Sequence, residues 1–275
     1  MSAPLIIYHG PHCVDGFTAF YVAHQYFAAQ GVTVEGVVGV YGEEPPDVTG
    51  REVYVLDFSY PREVLEGMFE SAASLLVLDH HKTAQAALEG LPYAQFDMNR
   101  SGARMTWDHF YPGQDVPLLV AHVEDNDLWR HQLDNTGAVN LYIQQVPKTV
   151  EDWSDLEATS LDEIVSRGES MLQLRESYVE MLIPCAIEQE NNGVRYWGVN
   201  APRWSASQLL NRLCLTPFAD GTYPAFAESW QDRRGGRGHE LRSAVNPSYP
   251  QAYDVSTYAR QYGGGGHHCA AGYKS

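Results

Sequence analysis

Basic charge is scarce in this chain of 275 residues. Lysine and arginine number 18 against 35 aspartates and glutamates, and the formal net charge is −17 at pH 7. Only three of the basic residues are lysines. A protein that coats long DNA or RNA needs a basic surface, so this composition argues against that class. An acidic protein can still bind a small phosphorylated molecule where metal ions and a few arginines reverse the potential locally.

Cysteines are also few, and none of them are close in sequence. Cys13, Cys185, Cys214 and Cys269 form no Cys-x-x-Cys pair, which gives no disulfide framework and suits a reducing compartment. No apolar run approaches the ~20 residues that a membrane-spanning helix needs, and the N-terminus lacks the pattern of a signal peptide. We therefore expect a cytoplasmic protein without a membrane partner.

Runs of strand length alternate with helical patterns in the first part of the chain. The strand-like runs lie at 5–8, 34–40, 53–57 and 75–79. The helical segments are 16–29, 61–71, 101–110 with Ser101 as its N-cap, and a stretch that follows Pro117. This alternation predicts βαβ units and a mostly parallel sheet in an α/β fold.

The later part of the chain has a mixed pattern. Helical spacing over 161–183, ended by Pro184, predicts a helix that connects two domains, although the last helix of the first domain would look the same. Two domains suit the length of the chain. In the second we expect a strand at 196–200, a helix at 205–213 capped by Ser205, and a hairpin with strands at 225–230 and 240–244. The Arg-Gly-rich stretch 232–238 resembles an RNA-binding tail, but a hairpin loop is the simpler interpretation.

Four apolar segments end in side chains that can bind metal ions. The carboxyl ends of strands in open α/β sheets are where ligand sites usually lie. Carboxylate oxygens and imidazole nitrogens also suit a divalent metal such as manganese. One such end is explained equally well by a helix cap, but four are hard to explain as solvated loops. The segments end at His9, at Asp57, at Asp79-His80-His81, and at Glu124-Asp125-Asn126-Asp127.

The order of these motifs resembles that of the DHH phosphoesterase superfamily, which is named for the Asp-His-His triplet found here at 79–81. The stretch 264–272 reads Gly-Gly-Gly-His-His-Cys-Ala-Ala-Gly and is similar to the signature of the DHH-associated C-terminal domain. Leu241-Arg242-Ser243 and Asp254-Val255-Ser256 also match that domain. The resemblance, to nano-RNases and oligoribonucleases in particular, covers the chain from Tyr8 to Tyr273.

The resemblance implies a domain organisation and a chemistry. It implies a parallel-sheet DHH catalytic domain over 1–160, a connector helix over 161–186, and a smaller mixed-sheet α/β domain that binds substrate over 187–275. It also implies hydrolysis of a phosphoester by a water activated between two divalent ions. We expect these to be Mn²⁺, with Mg²⁺, Co²⁺ or Zn²⁺ as alternatives.

Carried over position by position, the resemblance also implies roles for individual residues. Asp57 would bridge the two ions. His81 would face the phosphate as a hydrogen-bond donor or acid, and Asp79 would orient the neighbouring imidazoles. The implied metal ligands are His9, Cys13, Asp15, Asp57, His80 and Asp125.

Two of these ligands carry alternatives. The superfamily usually has aspartate at the position of Cys13, and a thiolate there favours zinc-like metals over manganese. Cys13 is otherwise a small buried residue that binds nothing. Asp127 is a rival to Asp125, which we prefer because the matching family aspartate immediately follows an apolar helix. His12 is a further candidate ligand, although Pro11 indicates a turn there.

The C-terminal motif is expected to bind phosphate. Its glycines allow backbone N–H groups to approach an anion, and Arg242 is the candidate bidentate anchor. His267 would hydrogen-bond a terminal phosphate or a base, although His267, His268 and Cys269 also suggest part of a zinc site. The expected substrate-binding residues are Arg242, Ser243, Gly264, Gly265, Gly266 and His267.

The expected function is metal-dependent hydrolysis of short oligonucleotides or (di)nucleotide phosphates. The glycine signature argues against manganese pyrophosphatases, and the size and acidity argue against processive exonucleases. The alternatives are 3′-phosphoadenosine 5′-phosphate or a linear dinucleotide as substrate, and a non-catalytic sensor of a phosphorylated ligand with a degraded first metal site. The expected partner is a short nucleic acid or nucleotide, and a homodimer is possible.

Overall fold

The computed structural model describes residues 2–10, 12–233 and 236–275, with the backbone alone at Arg233 and His267. The chain forms two compact units, Met1–Leu172 and Gln173–Ser275. The boundary between them falls inside the helix Leu161–Leu182, which is the segment expected to connect two domains. The finer division at 160 and 187 stays a prediction.

A parallel five-stranded sheet lies at the centre of the first unit, as the sequence predicted. The strands run in the order β2-β1-β3-β4-β5, and every neighbouring pair is parallel. Tyr8 is in register with Leu56, and Leu56 with Leu78, so the residues that follow these three positions meet at one edge of the sheet. The strands are β1 (Leu5–His9), β2 (Glu35–Gly39), β3 (Glu52–Leu56), β4 (Ser74–Asp79) and β5 (Ala94–Phe96).

Helices cover both faces of this sheet, and each face has its own core. Successive residues of β3 point to opposite faces: Val55 belongs to a core with Phe58 and Leu65, and Leu56 to one with Phe17 and Trp153. The helices are α1 (Val14–Ala29), α2 (Arg62–Ser71), α3 (Lys82–Ala87), α4 (Gly102–Phe110), α5 (Leu118–Asp127), α6 (Thr136–Gln145), α7 (Val150–Ala158) and α8 (Leu161–Leu182).

The predicted starts of two helices are confirmed. Ser101 caps α4 by accepting a hydrogen bond from the Arg104 N–H at 3.2 Å. Helix α5 begins directly after Pro117 and continues to Asp127.

The second unit has a mixed six-stranded sheet in the order β10-β11-β9-β8-β7-β6. The pair β7–β8 is parallel and the other pairs are antiparallel. Helix α9 (Arg203–Cys214) packs on β8 and β9, and α10 (Val255–Arg260) on β10 and β11. A 3-10 turn, Ile183–Cys185, precedes the strands, which are β6 (Ile187–Asn191), β7 (Val194–Asn200), β8 (Ala227–Arg233), β9 (Gly236–Arg242), β10 (Gly265–His267) and β11 (Ala270–Lys274).

The hairpin of the second unit is confirmed, but its strands are longer than predicted. Much of the stretch 232–238 pairs as strand, from Ala227 opposite Arg242 to Arg233 opposite Gly236. The predicted cap at Ser205 is wrong: α9 begins earlier, after Pro202, and the Ser205 hydroxyl donates to the Pro202 carbonyl at 3.1 Å. No helix in the described ranges is long and apolar enough to cross a membrane.

Candidate metal centre

Asp57 lies at the centre of a cluster at the carboxyl edge of the parallel sheet. It directly follows β3, is 1% exposed, and has a φ of 55°. A residue other than glycine in this left-handed region costs roughly 1–2 kcal/mol, and such strain is concentrated at functional sites. Gly102, the first residue of α4, packs against Asp57. A Cβ atom at Gly102 would lie only 2.4 Å from the Asp57 Cβ, so a larger residue would clash there.

The two carboxylate oxygens of Asp57 contact different partners. Oδ1 is 3.1 Å from His80 Nε2. Oδ2 is 3.3 Å from Cys13 Sγ, which donates to it, and 3.4 Å from His9 Nδ1. This is the arrangement expected of a carboxylate that is shared between two neighbouring ligand sets.

Two groupings around Asp57 have the composition of metal sites. Ligand atoms of His9, Cys13 and Asp57 lie within 4.8 Å of one another, and so do those of Asp15, His80 and Asp127. A third, overlapping grouping with the same limit consists of Asp57, His80 and His81.

Asp15 and Asp127 complete the second grouping through His80. The His80 Nε2 atom is 3.8 Å from Asp15 Oδ2 and 3.4 Å from Asp127 Oδ2. Asp15 also accepts the backbone N–H groups of Gly102 at 2.6 Å and Ala103 at 3.0 Å, so it caps the N-terminus of α4. These contacts hold the carboxylate in a fixed orientation.

The acidic groups of this cluster repel one another. Burial, followed by the charges of Asp57 and Asp127, raises the pKa of Asp15 well above its usual range. Desolvation and the charge of Asp57 raise the pKa of Asp127 to about 6. Burial also disfavours the ionised form of Asp57, but the hydrogen bond to His80 and the electrostatic effect of the nearby His9 and His81 rings outweigh it and lower the pKa of Asp57.

A divalent cation fits this donor set. The buried Asp15 and Asp57 and the partly exposed Asp127 all contact one imidazole, and a cation stabilises carboxylates that are crowded in this way. The His9 Nδ1 atom supports the fit, because it is buried without a hydrogen-bond partner among the described residues. A ring nitrogen without a hydrogen bond can donate its lone pair to a metal ion, and here it lies 3.4 Å from Asp57 Oδ2. Oxygen and nitrogen donors suit Mn²⁺ and Mg²⁺ as well as zinc.

The structure places Asp127, and not Asp125, at this cluster. Asp125 is buried and accepts hydrogen bonds from the Gln132 N–H at 2.9 Å, the Leu133 N–H at 3.1 Å and the Thr136 hydroxyl at 2.5 Å. None of the groupings found among the described residues includes it. Of the two candidates, it is Asp127 that lies among the other possible ligand side chains, whereas Asp125 anchors the turn that leads into α6.

Asp79 orients His81. Its Oδ1 is 2.6 Å from His81 Nδ1 and also accepts the backbone N–H of His80, and its Oδ2 accepts the Ser59 hydroxyl at 2.5 Å. Burial lowers the pKa of His81, but the hydrogen bond to Asp79 and its charge outweigh burial, so the pKa is raised above its ordinary value. No pattern in the sequence pointed to Ser59.

Cys13 lies where the superfamily pattern has aspartate, and it caps α1. Its Sγ accepts the Gly16 N–H at 3.4 Å. Burial, with the charges of Asp57 and Asp15, raises the pKa of the thiol well above its usual range. The candidate His12 is exposed and belongs to none of the groupings among the described residues.

In the second unit, Arg242 is held in place without an acidic partner among the described residues. Its Nη2 donates to Ser207 Oγ at 2.8 Å and its Nη1 to the Leu241 carbonyl at 2.9 Å. Burial lowers the pKa of Arg242. Among the described residues, the carboxylate of Glu240 is in an ion pair with Arg203, at 3.2 Å, rather than with Arg242.

The other expected substrate-binding residues differ in burial and in packing. The Ser243 hydroxyl is buried and donates to the Tyr253 carbonyl at 2.6 Å. Gly264 and Gly266 pack closely on β11, where an added Cβ would meet the Gly272 carbonyl at 2.1 Å or the Ala270 carbonyl at 2.5 Å. A Cβ added at Gly265 would have no described atom within 4 Å. The His267 side chain lies outside the described residues.

Comparison with known proteins gives relatives in sequence and in fold. No protein-family model matches the chain. An uncharacterized protein of Acanthamoeba polyphaga mimivirus is 28% identical over 291 residues, a match that covers 98% of this chain and 66% of that protein. The chain thus spans just under two thirds of the length of this relative.

Two solved structures are similar over nearly the whole chain. The pGpG-specific phosphodiesterase PggH from Vibrio cholerae has a TM-score of 0.56 at 15% identity, with 99% of this chain and 93% of that chain covered. RecJ from Thermus thermophilus in complex with Mn²⁺ has a TM-score of 0.57 at 14% identity, with 99% and 49% covered. The chain therefore shares the two-domain α/β fold of PggH and RecJ, as its motifs predicted.

Proposed function

We propose that this protein is a metal-dependent phosphoesterase that hydrolyses short oligonucleotides or (di)nucleotide phosphates. The observation that carries the proposal is Asp57, a strained and buried carboxylate with one oxygen at His80 and the other at His9 and Cys13. Two divalent ions, when bound, would lower the pKa of a water and neutralise charge on the phosphate oxygens.

The ligand groupings support a division of the candidate ligands between two ions. His9, Cys13 and Asp57 would hold the first, and Asp15, His80 and Asp127, again with Asp57, the second. We infer Mn²⁺ for both, with Mg²⁺ as the nearest alternative, since oxygen donors dominate the second grouping. RecJ from Thermus thermophilus, which has the same fold, was solved in complex with Mn²⁺. The thiol of Cys13 is the one donor that favours a zinc-like ion.

His81 would bind the phosphate. Its Nδ1 is committed to Asp79 at 2.6 Å, which leaves Nε2 as the ring nitrogen that can donate to a phosphate oxygen or protonate a leaving oxygen. The raised pKa keeps the ring protonated over a wider part of the neutral range. The Asp79–His81 pair therefore fits an acid rather than a base.

Arg242 would anchor a second phosphate or the substrate terminus. Its guanidinium is partly buried and has no carboxylate to neutralise it within the described chain, which suits an incoming anion. The acidic charge of the protein repels long strands, whose phosphates would extend over its surface. PggH, which shares the fold, is specific for the dinucleotide pGpG, and this favours dinucleotides among the short substrates.

A panel assay tests the proposal. The purified chain is incubated with linear dinucleotides, short RNA oligomers, long RNA, 3′-phosphoadenosine 5′-phosphate and polyphosphate, each with a chelator and then with added Mn²⁺. We expect hydrolysis of the short nucleotides that chelation abolishes and manganese restores. Asp57→Asn should abolish it, whereas Glu70→Gln, at an exposed site of α2, should not. Activity that survives exhaustive chelation contradicts the proposal, and binding without hydrolysis supports the sensor.

A further inference from the structure

An exposed tyrosine lies beside the metal-ligand cluster. Tyr41 follows β2 and is 57% exposed. Its ring packs against Phe58 at a centroid distance of 4.7 Å and meets the ring of His9 edge to face at 5.6 Å and 68°. His9 belongs to the first ligand grouping, so the exposed ring adjoins the place where the chemistry is proposed to occur.

The support beneath this ring is rigid. Phe58 immediately follows Asp57 and is fully buried. It lies directly over Gly39, where an added Cβ would be 2.7 Å from the Phe58 ring, so only glycine lets the ring settle there. Because Phe58 is fixed by this contact, the ring of Tyr41 is oriented before any ligand arrives, which lowers the entropy cost of binding to it.

The ring of Tyr41 carries no charge, because a phenol is neutral across the physiological range. It therefore presents an uncharged aromatic surface beside the acidic cluster. Such a surface attracts another ring without adding to the negative charge that a phosphate meets.

We propose that Tyr41, supported by Phe58, is a stacking platform for the nucleobase attached to the phosphate that is hydrolysed. The proposal rests on the function proposed above and narrows it, because a stacking site selects nucleotides over phosphates without a base, such as polyphosphate. Every base has a π face, so the platform would tolerate all bases and add affinity for each. Specificity for one base would have to come from other residues.

Two variants separate the ring from the hydroxyl. Tyr41→Phe keeps the stacking surface, and Tyr41→Ala removes it. Phe69→Ala is the matched control, since Phe69 is also an exposed ring, at 48%, stacked on Tyr93 at 4.4 Å. Each protein is assayed with Mn²⁺ on a dinucleotide and on analogues of it that lack one base or the other.

We expect Tyr41→Ala to raise the KM for the dinucleotide roughly 5- to 150-fold, the range for the loss of one stacked base. Its KM for the analogue that lacks the stacked base should equal that of the wild type. Tyr41→Phe and Phe69→Ala should resemble the wild type throughout. A dinucleotide that carries 2-aminopurine provides a readout without turnover, because its emission should be quenched by the wild type and by Tyr41→Phe, but not by Tyr41→Ala.

Several results overturn the platform. An equal rise in KM for the intact and base-free substrates would make Tyr41 a structural residue. A Tyr41→Phe variant as impaired as Tyr41→Ala would assign the role to the hydroxyl. If the wild type quenches the probe but hydrolyses nothing, the proposed function fails while the platform stands. If Tyr41→Ala hydrolyses the dinucleotide as well as the wild type does, the platform fails while the proposed function stands.

Discussion

The carboxylate of Asp79 holds the imidazole of His81 by a hydrogen bond of 2.6 Å between Oδ1 and Nδ1. The same carboxylate accepts the Ser59 hydroxyl, so it is itself fixed on its other side. This chain of contacts runs from a buried serine to the ring that is proposed to face the phosphate. It sets both the orientation of His81 and the pH range over which the ring carries a proton.

Replacing Asp79 by asparagine should shift the pH dependence of activity. Without the Asp79 charge, less would oppose the effect of burial, so the pKa of His81 should fall. If the protonated ring is required, activity falls as pH rises through this pKa, so the fall should move to lower pH in Asp79→Asn. We expect kcat to drop by about 10- to 100-fold, as when other partners of metal-site residues are removed.

A pH–rate profile and an NMR titration of His81 in the metal-free protein check this prediction. Ser59→Ala is the control, because it removes one hydrogen bond from Asp79 and keeps its charge. An unchanged alkaline limb in Asp79→Asn would show that His81 does not act as an acid.

Asp125→Asn should affect the stability of the protein, whereas Asp127→Asn should affect its metal binding. Asp125 accepts three hydrogen bonds from residues 132–136, so Asp125→Asn should lower the free energy of unfolding by about 1–3 kcal/mol and leave metal binding intact. Asp127→Asn should weaken metal binding without destabilising the metal-free protein. Urea unfolding and metal titration of both variants distinguish the roles, and a metal defect in Asp125→Asn alone would restore it as the ligand.

The stabilising effect of Asp125 should depend on pH in a defined direction. Burial raises its pKa, but the hydrogen bonds from Thr136, Gln132 and Leu133 outweigh burial and lower it. A lowered pKa in the folded state stabilises the protein above the ordinary carboxyl pKa, and this stabilisation is lost as pH falls through the folded value. The difference in stability between wild type and Asp125→Asn should therefore shrink on acidification, as unfolding curves from neutral to acid pH would show. A stability difference that grows on acidification would contradict this prediction.

Metal binding should release protons and tighten as pH rises. Burial lowers the pKa of His80, but the hydrogen bond to Asp57 and the nearby carboxylates outweigh it and raise the pKa to about 9. At neutral pH this ring is protonated in the metal-free protein, and it must lose the proton to bind an ion. Affinity should rise by about tenfold per pH unit for each proton released. Calorimetry in buffers of different ionisation enthalpy counts the protons, and a count of zero would exclude His80 as a ligand.

Arg242→Ala should raise KM more than it lowers kcat. The guanidinium is proposed to hold a phosphate away from the reacting one, so it contributes to ground and transition states alike. Ser207→Ala is the control: it removes one contact of the arginine and keeps the charge. Steady-state kinetics on a dinucleotide provide the test. A loss confined to kcat would place Arg242 at the reacting phosphate.

The sequence predicts the parts of the site that depend on the ends of regular elements. His9, Asp57 and Asp79 lie at the ends of neighbouring parallel strands, and a parallel sheet necessarily brings such ends to one edge. The choice between Asp125 and Asp127 depends on contacts between α5 and residues 132–136. Sequence spacing alone does not reveal those contacts, because they form only after the chain turns back.

Sequence reasoning also failed to predict two other features. The cap predicted at Ser205 follows a local preference, but α9 begins two residues earlier, at Arg203, with Pro202 at the N-cap position. The left-handed backbone of Asp57 has no sequence signal, since aspartate is ordinary in many conformations. It is stable only because Gly102 leaves room for it, and that contact joins residues far apart in the chain.

Cys13 lies where the motif that this chain resembles has aspartate, and its substitution tests the first ligand grouping. Cys13→Asp replaces a soft donor by a hard one of nearly the same reach, and it keeps the cap on Gly16. Manganese affinity should therefore hold or rise, and activity should persist at a lower metal concentration. Cys13→Ala should weaken binding of the first ion and leave the second ion bound by Asp15, His80 and Asp127. It should also lower the free energy of unfolding by about 1 kcal/mol, because the helix cap is lost. Metal titration of the three proteins decides the matter: if Cys13→Ala and the wild type bind two ions equally well, the thiol contributes only packing and the first ion has other ligands.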